Sequence, residues 1–143
     1  VAAGDPRKLR LLDRGASVFG SYAKVLLAAG EPAAFAQFGP LSAYPRAQHL
    51  RERYPRLPQS PLPAVITCIA TTAAARGQGL GSRLVTAVVE DLGRRGFSAI
   101  EAYPDLTLAA DQASAATTVF WRGCGFELAA DDERYPVMRL ELG

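Results

Sequence analysis

Six consecutive residues, Arg76-Gly77-Gln78-Gly79-Leu80-Gly81, have the types and spacing needed to hold a phosphorylated ligand. The apolar run over 64–70 before them is typical of a buried strand, and apolar residues at helical spacing follow over 80–92. A helix start carries unpaired N–H groups and the positive end of the helix dipole. Glycines there let phosphates approach the bare backbone, and Arg76 adds a positive charge. The pattern therefore predicts a pyrophosphate-binding loop.

Two common phosphate motifs do not fit this loop. The P-loop motif requires a Lys that is missing here. The dinucleotide motif Gly-x-Gly-x-x-Gly would place its third glycine at Ser82 or Leu84. The pattern that fits is Arg-x-x-Gly-x-Gly, with Arg76, Gly79 and Gly81. Between a strand and a helix, it resembles the coenzyme A loop of the GNAT superfamily of N-acetyltransferases.

A second segment, 114–126, resembles the family signature Asn-x-x-Ala-x-x-x-Tyr-x-x-x-Gly-Phe. Gly125 and Phe126 match it, Ser114 falls on the Asn position and Trp121 on the Tyr position. Glycine is also the usual residue after a helix, so this end of the match is the less specific one. The resemblance covers roughly residues 22 to 143.

We expect the elements that position these residues to form one N-acyltransferase-like domain over residues 1–143. The pattern predicts strands at 22–28, 33–38, 64–71, 97–103, 126–130 and 137–142, and helices at 46–53, 80–92 and 114–123, with Ser114 as a helix N-cap.

The resemblance implies an α/β (α+β) fold: a mixed, mostly antiparallel sheet with flanking helices, in which the central parallel strands 64–71 and 97–103 splay apart. Residues 1–20 are hard to place. The family usually has a strand and two helices there, and we expect them to be shortened, missing, or outside this stretch of sequence. That region often shapes the acceptor pocket in the family, so the acceptor stays open.

The resemblance implies that acetyl-CoA is a co-substrate held largely by backbone groups. The end of the strand at 69–71 would pair with the pantetheine arm and offer an N–H to the thioester carbonyl, while the N–H groups of 77–82 would bind the pyrophosphate. The predicted cofactor-binding residues are Ile69, Ala70, Thr71, Arg76, Gly77, Gln78, Gly79, Leu80, Gly81, Ser82, Ser114 and Trp121.

The groups that move protons are not evident. The family often has a Glu on the strand that here offers only Thr67 and Cys68, and Trp121 replaces its Tyr acid. An indole N–H donates a hydrogen bond but does not usefully give up its proton. Water, or Glu101, Tyr103 or Asp105, remains to do this work. Neither Cys68 nor Cys124 has a base beside it in sequence, so we expect direct attack without an acetyl-enzyme.

We therefore expect an N-acetyltransferase that transfers an acetyl group from acetyl-CoA to a primary amine, on a small molecule or a protein, in a ternary complex. The alternative is an acyl-CoA-binding domain with weak or lost catalysis. A nucleotide-binding α/β domain would depend on the glycine loop alone, and the failed spacings argue against it.

Composition narrows the class of protein. At 143 residues, 49% of them hydrophobic, with a mean hydropathy of +0.05, the chain resembles ordinary soluble domains, and its apolar runs are too short to cross a membrane. Two cysteines and the lack of a signal-peptide core predict a reduced, cytoplasmic protein. We expect no metal, since His49 is the only histidine, and no nucleic acid, since the net charge is +2. A homodimer stays open.

One local cluster of charge stands out, comprising Arg46, Arg51, Arg53 and Arg56 with Tyr44 and Tyr54 between them. It is either a solvated loop face or a rim that helps to hold the acidic coenzyme or an acidic substrate.

Overall fold

The computed structural model describes residues 22–72, 79–107 and 117–142. The elements in chain order are β1 Ala23–Ala28, β2 Glu31–Pro40, a short 3-10 helix Leu41–Ala43, α1 Pro45–Arg51, β3 Ala64–Thr71, α2 Leu80–Arg94, β4 Ala99–Ala102, α3 Thr118–Gly123, β5 Glu127–Ala130 and β6 Val137–Glu141. No helix in these ranges is long and apolar enough to span a membrane.

The six strands form one sheet in the order β1-β2-β3-β4-β6-β5. All neighbours are antiparallel except β3 and β4, which are parallel and are connected through α2. This confirms the predicted mixed sheet with its central parallel pair.

Helix α2 covers one face of the sheet because its apolar residues recur at helical spacing. Leu84, Val85, Val88 and Leu92 are all buried in the main core with the sheet residues of that face. The helix ends at Arg94, and Gly96 then takes the left-handed conformation (φ 91°) that glycine adopts without a steric penalty. The predicted helix is therefore confirmed, with an end two residues beyond Leu92.

A β-bulge at Thr67 changes the pairing between β2 and β3. Gln37 pairs with Cys68 but Phe38 pairs with Ile66, so Thr67 is the extra residue, and its hydroxyl donates to the carbonyl of Gln37 (3.2 Å). An extra residue reverses the alternation of side chains along a strand. Ile66 and Ile69, three positions apart, thus both lie in the core beneath α2.

The helix predicted over 114–123 begins later than expected. It starts at Thr118, and the hydroxyl of Thr117 caps it by accepting from the N–H of Phe120 (3.3 Å). The prediction of Ser114 as the cap is wrong because Thr117, also a good capping residue, makes that bond. Ser114 itself lies outside the described residues.

Candidate active site

The parallel strands β3 and β4 separate part-way along their length. They pair only from Ala64 to Ile66 on β3 and from Ile100 to Ala102 on β4. Within the described ranges, β3 pairs from Cys68 to Thr71 only with β2, on its other side. The bulge at Thr67 lies at the point of separation, and a bulge bends its strand and increases its twist. Among the residues that the structure describes, the result is a gap beside the end of β3.

Hydrogen-bond alternation fixes which backbone groups face this gap. The N–H of Thr72 donates to the carbonyl of Ala33 (2.9 Å). In an antiparallel ladder, bonded pairs alternate with non-bonded ones, so Ala70 bonds toward β2 whereas Ile69 and Thr71 direct their N–H and C=O groups away from it. Of the three strand-end residues predicted to bind the coenzyme, Ile69 and Thr71 therefore offer their backbone to the gap.

The first turn of α2 is a ready anion site. Its N-cap, Gly79, has φ 71° and ψ 14° and makes no side-chain cap, and the first turn contains no acidic residue. The N–H of Arg83 donates to the carbonyl of Gly79 (3.2 Å), so the N–H groups of Leu80, Gly81 and Ser82 precede the first helical bond. The positive end of the helix dipole and these N–H groups, which the helix itself leaves without an acceptor, together favour a bound phosphate.

Gly81 brings three elements together. A Cβ at this position would lie 3.2 Å from Cε1 of Phe120 and 3.9 Å from Cγ2 of Thr71. The start of α2 thus packs closely against α3 and against the end of β3. The end of β3 and the first-turn N–H groups of α2 therefore border one region.

Cys124 also lies at this junction. Its thiol is half-buried, takes part in no disulfide, and is 4.0 Å from the hydroxyl of Ser82. Burial raises the pKa of the Cys124 thiol, and the hydrogen bond with Ser82 offsets this only in part. The thiol is therefore kept protonated, which is the wrong state for a nucleophile.

Trp121 is wholly buried in the core. Its ring packs edge-on against Phe120 (centroids 5.2 Å apart) and at a tilt against Phe126 (4.9 Å). Its Nε1–H has no hydrogen-bond acceptor within the described part of the chain. A contact between Trp121 and the coenzyme's thiol end stays a prediction, because the side chain is part of the packed interior in this structure.

Glu101 lies on the opposite face of the sheet from α2. It is fully buried, and its carboxylate accepts four hydrogen bonds: two from Arg51, one from Arg139 and one from the hydroxyl of Tyr103. A carboxylate has about four lone-pair sites, so none is left for a substrate amine. This geometry favours a structural role for Glu101 over that of a base.

The other two candidates for proton transfer are also constrained. Burial, and then the charge of Glu101, raises the pKa of Tyr103 far above its usual value, so its hydroxyl holds its proton. The side chain and N–H of Thr107 donate to Asp105 and lower the pKa of that carboxyl, so it is a weak base.

The sequence model of the Acetyltransferase (GNAT) family matches residues 5–126 of this chain, well over half of its length. The chain belongs to the GNAT acetyltransferase family. No curated protein matches the chain.

Solved structures of GNAT proteins share the fold. The protein yncA from Salmonella typhimurium, with its cofactor acetyl-CoA, has a TM-score of 0.66 and 16% identity over 97% of this chain and 75% of its own. The paia N-acetyltransferase of Thermoplasma acidophilum, in complex with coenzyme A, has a TM-score of 0.64 and 10% identity over 94% and 70%. An N-acetyltransferase from Staphylococcus aureus Mu50 has a TM-score of 0.56 and 19% identity over 85% and 67%. The chain thus spans 67–75% of the lengths of these proteins.

Some of the predicted GNAT site residues are brought together and others are not described. The strand end and the first turn of α2 lie close together, with Gly81 near Thr71, and their binding of the coenzyme stays a prediction. Arg76, Gly77, Gln78 and Ser114 lie outside the described residues. In the described ranges, no three His, Cys, Asp or Glu side chains are grouped to hold a metal ion.

The predicted basic rim is divided between core and surface. Arg51 is buried against Glu101. Arg53 is exposed, lies over the rings of Tyr54 and Tyr135, and forms an ion pair with Asp132 (3.4 Å). Sequence reasoning did not foresee the buried cluster of Arg51, Glu101 and Arg139. Its one local signal is a Glu within the apolar strand run Ala-Ile-Glu-Ala at 99–102, a position that requires a charged partner when buried.

Proposed function

We propose that this chain is an acetyl-CoA-dependent N-acetyltransferase that acetylates a primary amine by direct attack in a ternary complex. The observation that carries the proposal is the edge of β3 beyond Ile66, which no described residue pairs with on the β4 side and which ends beside the start of α2. An extended pantetheine arm pairs with a free strand edge as another strand would. Family membership supports acetyl-CoA as the donor.

The coenzyme would be held mainly by backbone groups. The N–H groups of Leu80, Gly81 and Ser82 would bind the pyrophosphate, with Gly77, Gln78 and the Arg76 charge completing the loop. The backbone of Ile69 and Thr71 would pair with the pantetheine arm, with Ala70 between them. One of these N–H groups would then donate to the thioester carbonyl as negative charge develops on its oxygen.

The transfer needs no covalent intermediate on the protein. The neutral amine attacks the thioester carbon, forming the N–C bond; the C–S bond then breaks and the coenzyme leaves as a thiolate. The amine loses its proton to water and the thiolate takes one from water. Alignment of the amine with the carbonyl can supply most of the acceleration. The protonated thiol of Cys124 is consistent with this direct route.

Incubation with acetyl-CoA and a panel of primary amines tests the proposal. We expect release of the coenzyme thiol together with an amine that is one acetyl group heavier by mass spectrometry. The rate should rise with pH as the acceptor amine loses its proton. The rise should be centred on the ordinary pKa of the amine, about 8 for an N-terminal amine and about 10.4 for a lysine side chain. Tight binding of coenzyme A without turnover of any amine would instead support the binding-only alternative.

A further inference from the structure

The buried carboxylate of Glu101 holds together three parts of the chain. Its Oε1 accepts from Nε of Arg51 (2.7 Å) and from the hydroxyl of Tyr103 (2.7 Å). Its Oε2 accepts from Nη2 of Arg51 (3.1 Å) and Nη1 of Arg139 (2.6 Å). Arg51 is the last residue of α1, Arg139 lies on β6, and Tyr103 follows β4. One side chain thus joins α1, β6 and the exit of β4.

The carboxylate of Glu101 forms ion pairs with the two guanidinium groups at this junction. Arg51 is 4% exposed and Glu101 0%, while the Arg139 side chain is 10% exposed. A second carboxylate, that of Glu141, pairs with Arg139 at 2.7 Å, but it is 68% exposed. Removal of one partner from a buried ion pair leaves the other charge desolvated without compensation. Glu101 is therefore the buried counter-charge for two arginines.

The same junction extends to the loops around it. Nη2 of Arg51 also donates to the carbonyl of Pro58 (2.7 Å), which fixes the segment after α1. The hydroxyl of Tyr54 donates to the carbonyl of Tyr135, and the N–H of Leu106 donates to the carbonyl of Arg134 (2.9 Å). Residues 45–58 and 132–139, which we name the α1 wall, are thus one connected surface beside the exit of β4.

The α1 wall lies beside the point where β3 and β4 separate, on the side from which the acceptor amine would approach. Glu101 pairs with Val65, and the next pair, Ile66 with Ala102, is the last before the strands separate. Val65 packs beneath α1, whereas Ile66 packs beneath α2. With the pyrophosphate at the start of α2, as proposed above, the α1 side of the gap would be left for the acceptor, because two substrates that meet at one carbon approach it from different sides.

Resting on the proposed function, we infer that Glu101 is a positioning residue for the acceptor amine: it holds the α1 wall at the mouth of the gap without touching either substrate. Glu101→Gln keeps the shape of the side chain and removes the charge. Glu141→Gln is the matched control, because it takes the exposed carboxylate from the same Arg139. Arg139→Gln, which leaves the pair of Arg51 and Glu101 intact, is a milder second variant should Glu101→Gln fold poorly.

The first measurement compares kinetics with binding. With spermidine, tyramine and trialanine as acceptors, we expect Glu101→Gln and Arg139→Gln to raise the acceptor KM about tenfold or more, since small misplacement of a substrate costs one to two orders of magnitude. The coenzyme A Kd should stay within about twofold of the native value, and Glu141→Gln should match the native protein in both quantities. An acceptor KM that does not change, or a coenzyme Kd that weakens in parallel, would overturn the inference.

The second measurement needs no turnover, so it separates this inference from the proposed function. Hydrogen exchange followed by mass spectrometry should show faster exchange in residues 45–58 and 132–139 of Glu101→Gln, and in residues 132–139 of Arg139→Gln, with α2 unchanged in both. Equal acceleration in α2, or none in the α1 wall, would show that Glu101 does not position this surface, even if the native protein acetylates amines. Absence of native turnover would refute the proposed function alone.

Discussion

Cys124 illustrates how burial decides what a thiol beside the gap can do. Its Sγ lies 4.0 Å from the hydroxyl of Ser82, and burial raises its pKa, so the reactive thiolate is disfavoured. We predict that Cys124→Ala retains the native turnover within about twofold, because an unactivated thiol carries no acetyl group. Intact-protein mass spectrometry after exposure to acetyl-CoA alone should find no acetylated protein. An acetyl adduct that Cys124→Ala abolishes would disprove direct attack.

Trp121 combines full burial with an indole N–H that has no acceptor among the described residues. A buried N–H without an acceptor costs about 1–3 kcal/mol. Trp121→Phe removes that N–H along with some packing against Phe126, so we predict a net loss of stability below about 1.5 kcal/mol. Trp121→Ala should cost about 3–5 kcal/mol because it leaves a cavity. Urea unfolding measures both. A Phe variant as unstable as the Ala variant would mean that the indole N–H has a partner in solution.

At the scale of elements, the two glycines of α2 are expected to respond differently to the same change. A Cβ at Gly93 would meet nothing within 4 Å, whereas a Cβ at Gly81 would lie 3.2 Å from Cε1 of Phe120. We predict that Gly93→Ala stabilises the protein by about 0.5–1 kcal/mol through helix propensity. Gly81→Ala should stabilise the protein by less than Gly93→Ala does, or destabilise it, because Phe120 must move to make room for the new Cβ. Calorimetric melting compares the two, and equal gains would contradict the close contact between α2 and α3.

The turn between β5 and β6 depends on a single carboxylate. Asp132 accepts from the N–H groups of Tyr135 and Arg134, both at 2.8 Å, and these bonds lower its pKa. A depressed folded pKa means that the carboxylate stabilises the fold above its unfolded pKa of about 3.9, and that this stability is lost as the pH falls through the folded pKa.

We therefore predict that Asp132→Asn is less stable than the native protein at neutral pH, and that the difference closes in acid once the native carboxyl is protonated. Urea unfolding at neutral pH and at about pH 2.5 measures this. Asp131→Asn, at the exposed neighbouring position, is the control for loss of one negative charge. A deficit in Asp132→Asn that persists unchanged in acid would show that the turn does not depend on the charge.

For the whole molecule, the sequence alone was enough to predict the central strand–helix–strand unit of the fold, because its signals are local patterns of apolar residues and glycines. The apolar strand at 64–71, the stripe of α2 and the glycines between them predicted the parallel pair and the helix start that the structure confirms. These signals lie within about thirty residues of sequence, where periodicity is strongest.

Features set by distant partners could not be predicted in the same way. The bulge at Thr67 depends on Gln37 across the sheet, and the burial of Glu101 depends on Arg51, fifty positions away. Trp121 likewise packs against Phe120 and Phe126, and these contacts depend on how α3 lies against the core. Its predicted contact with the coenzyme stays a prediction. Such contacts follow from how the elements pack, which a single sequence does not specify residue by residue.

The central claim, that the start of α2 holds the coenzyme's pyrophosphate, is tested most directly by calorimetric titration of coenzyme A into Ser82→Asp and Thr86→Asp. Both positions are exposed on α2, but Thr86 lies one turn, about 6 Å, further from the helix start. An acidic side chain in the first turn favours the helix itself by about 0.3–1 kcal/mol, so unfolding would not explain lost binding.

We predict that Ser82→Asp weakens the coenzyme A Kd about tenfold or more through repulsion of the pyrophosphate, while Thr86→Asp stays within about twofold of the native protein. Equal affinities in the two variants, or no binding of coenzyme A by the native chain, would contradict the account.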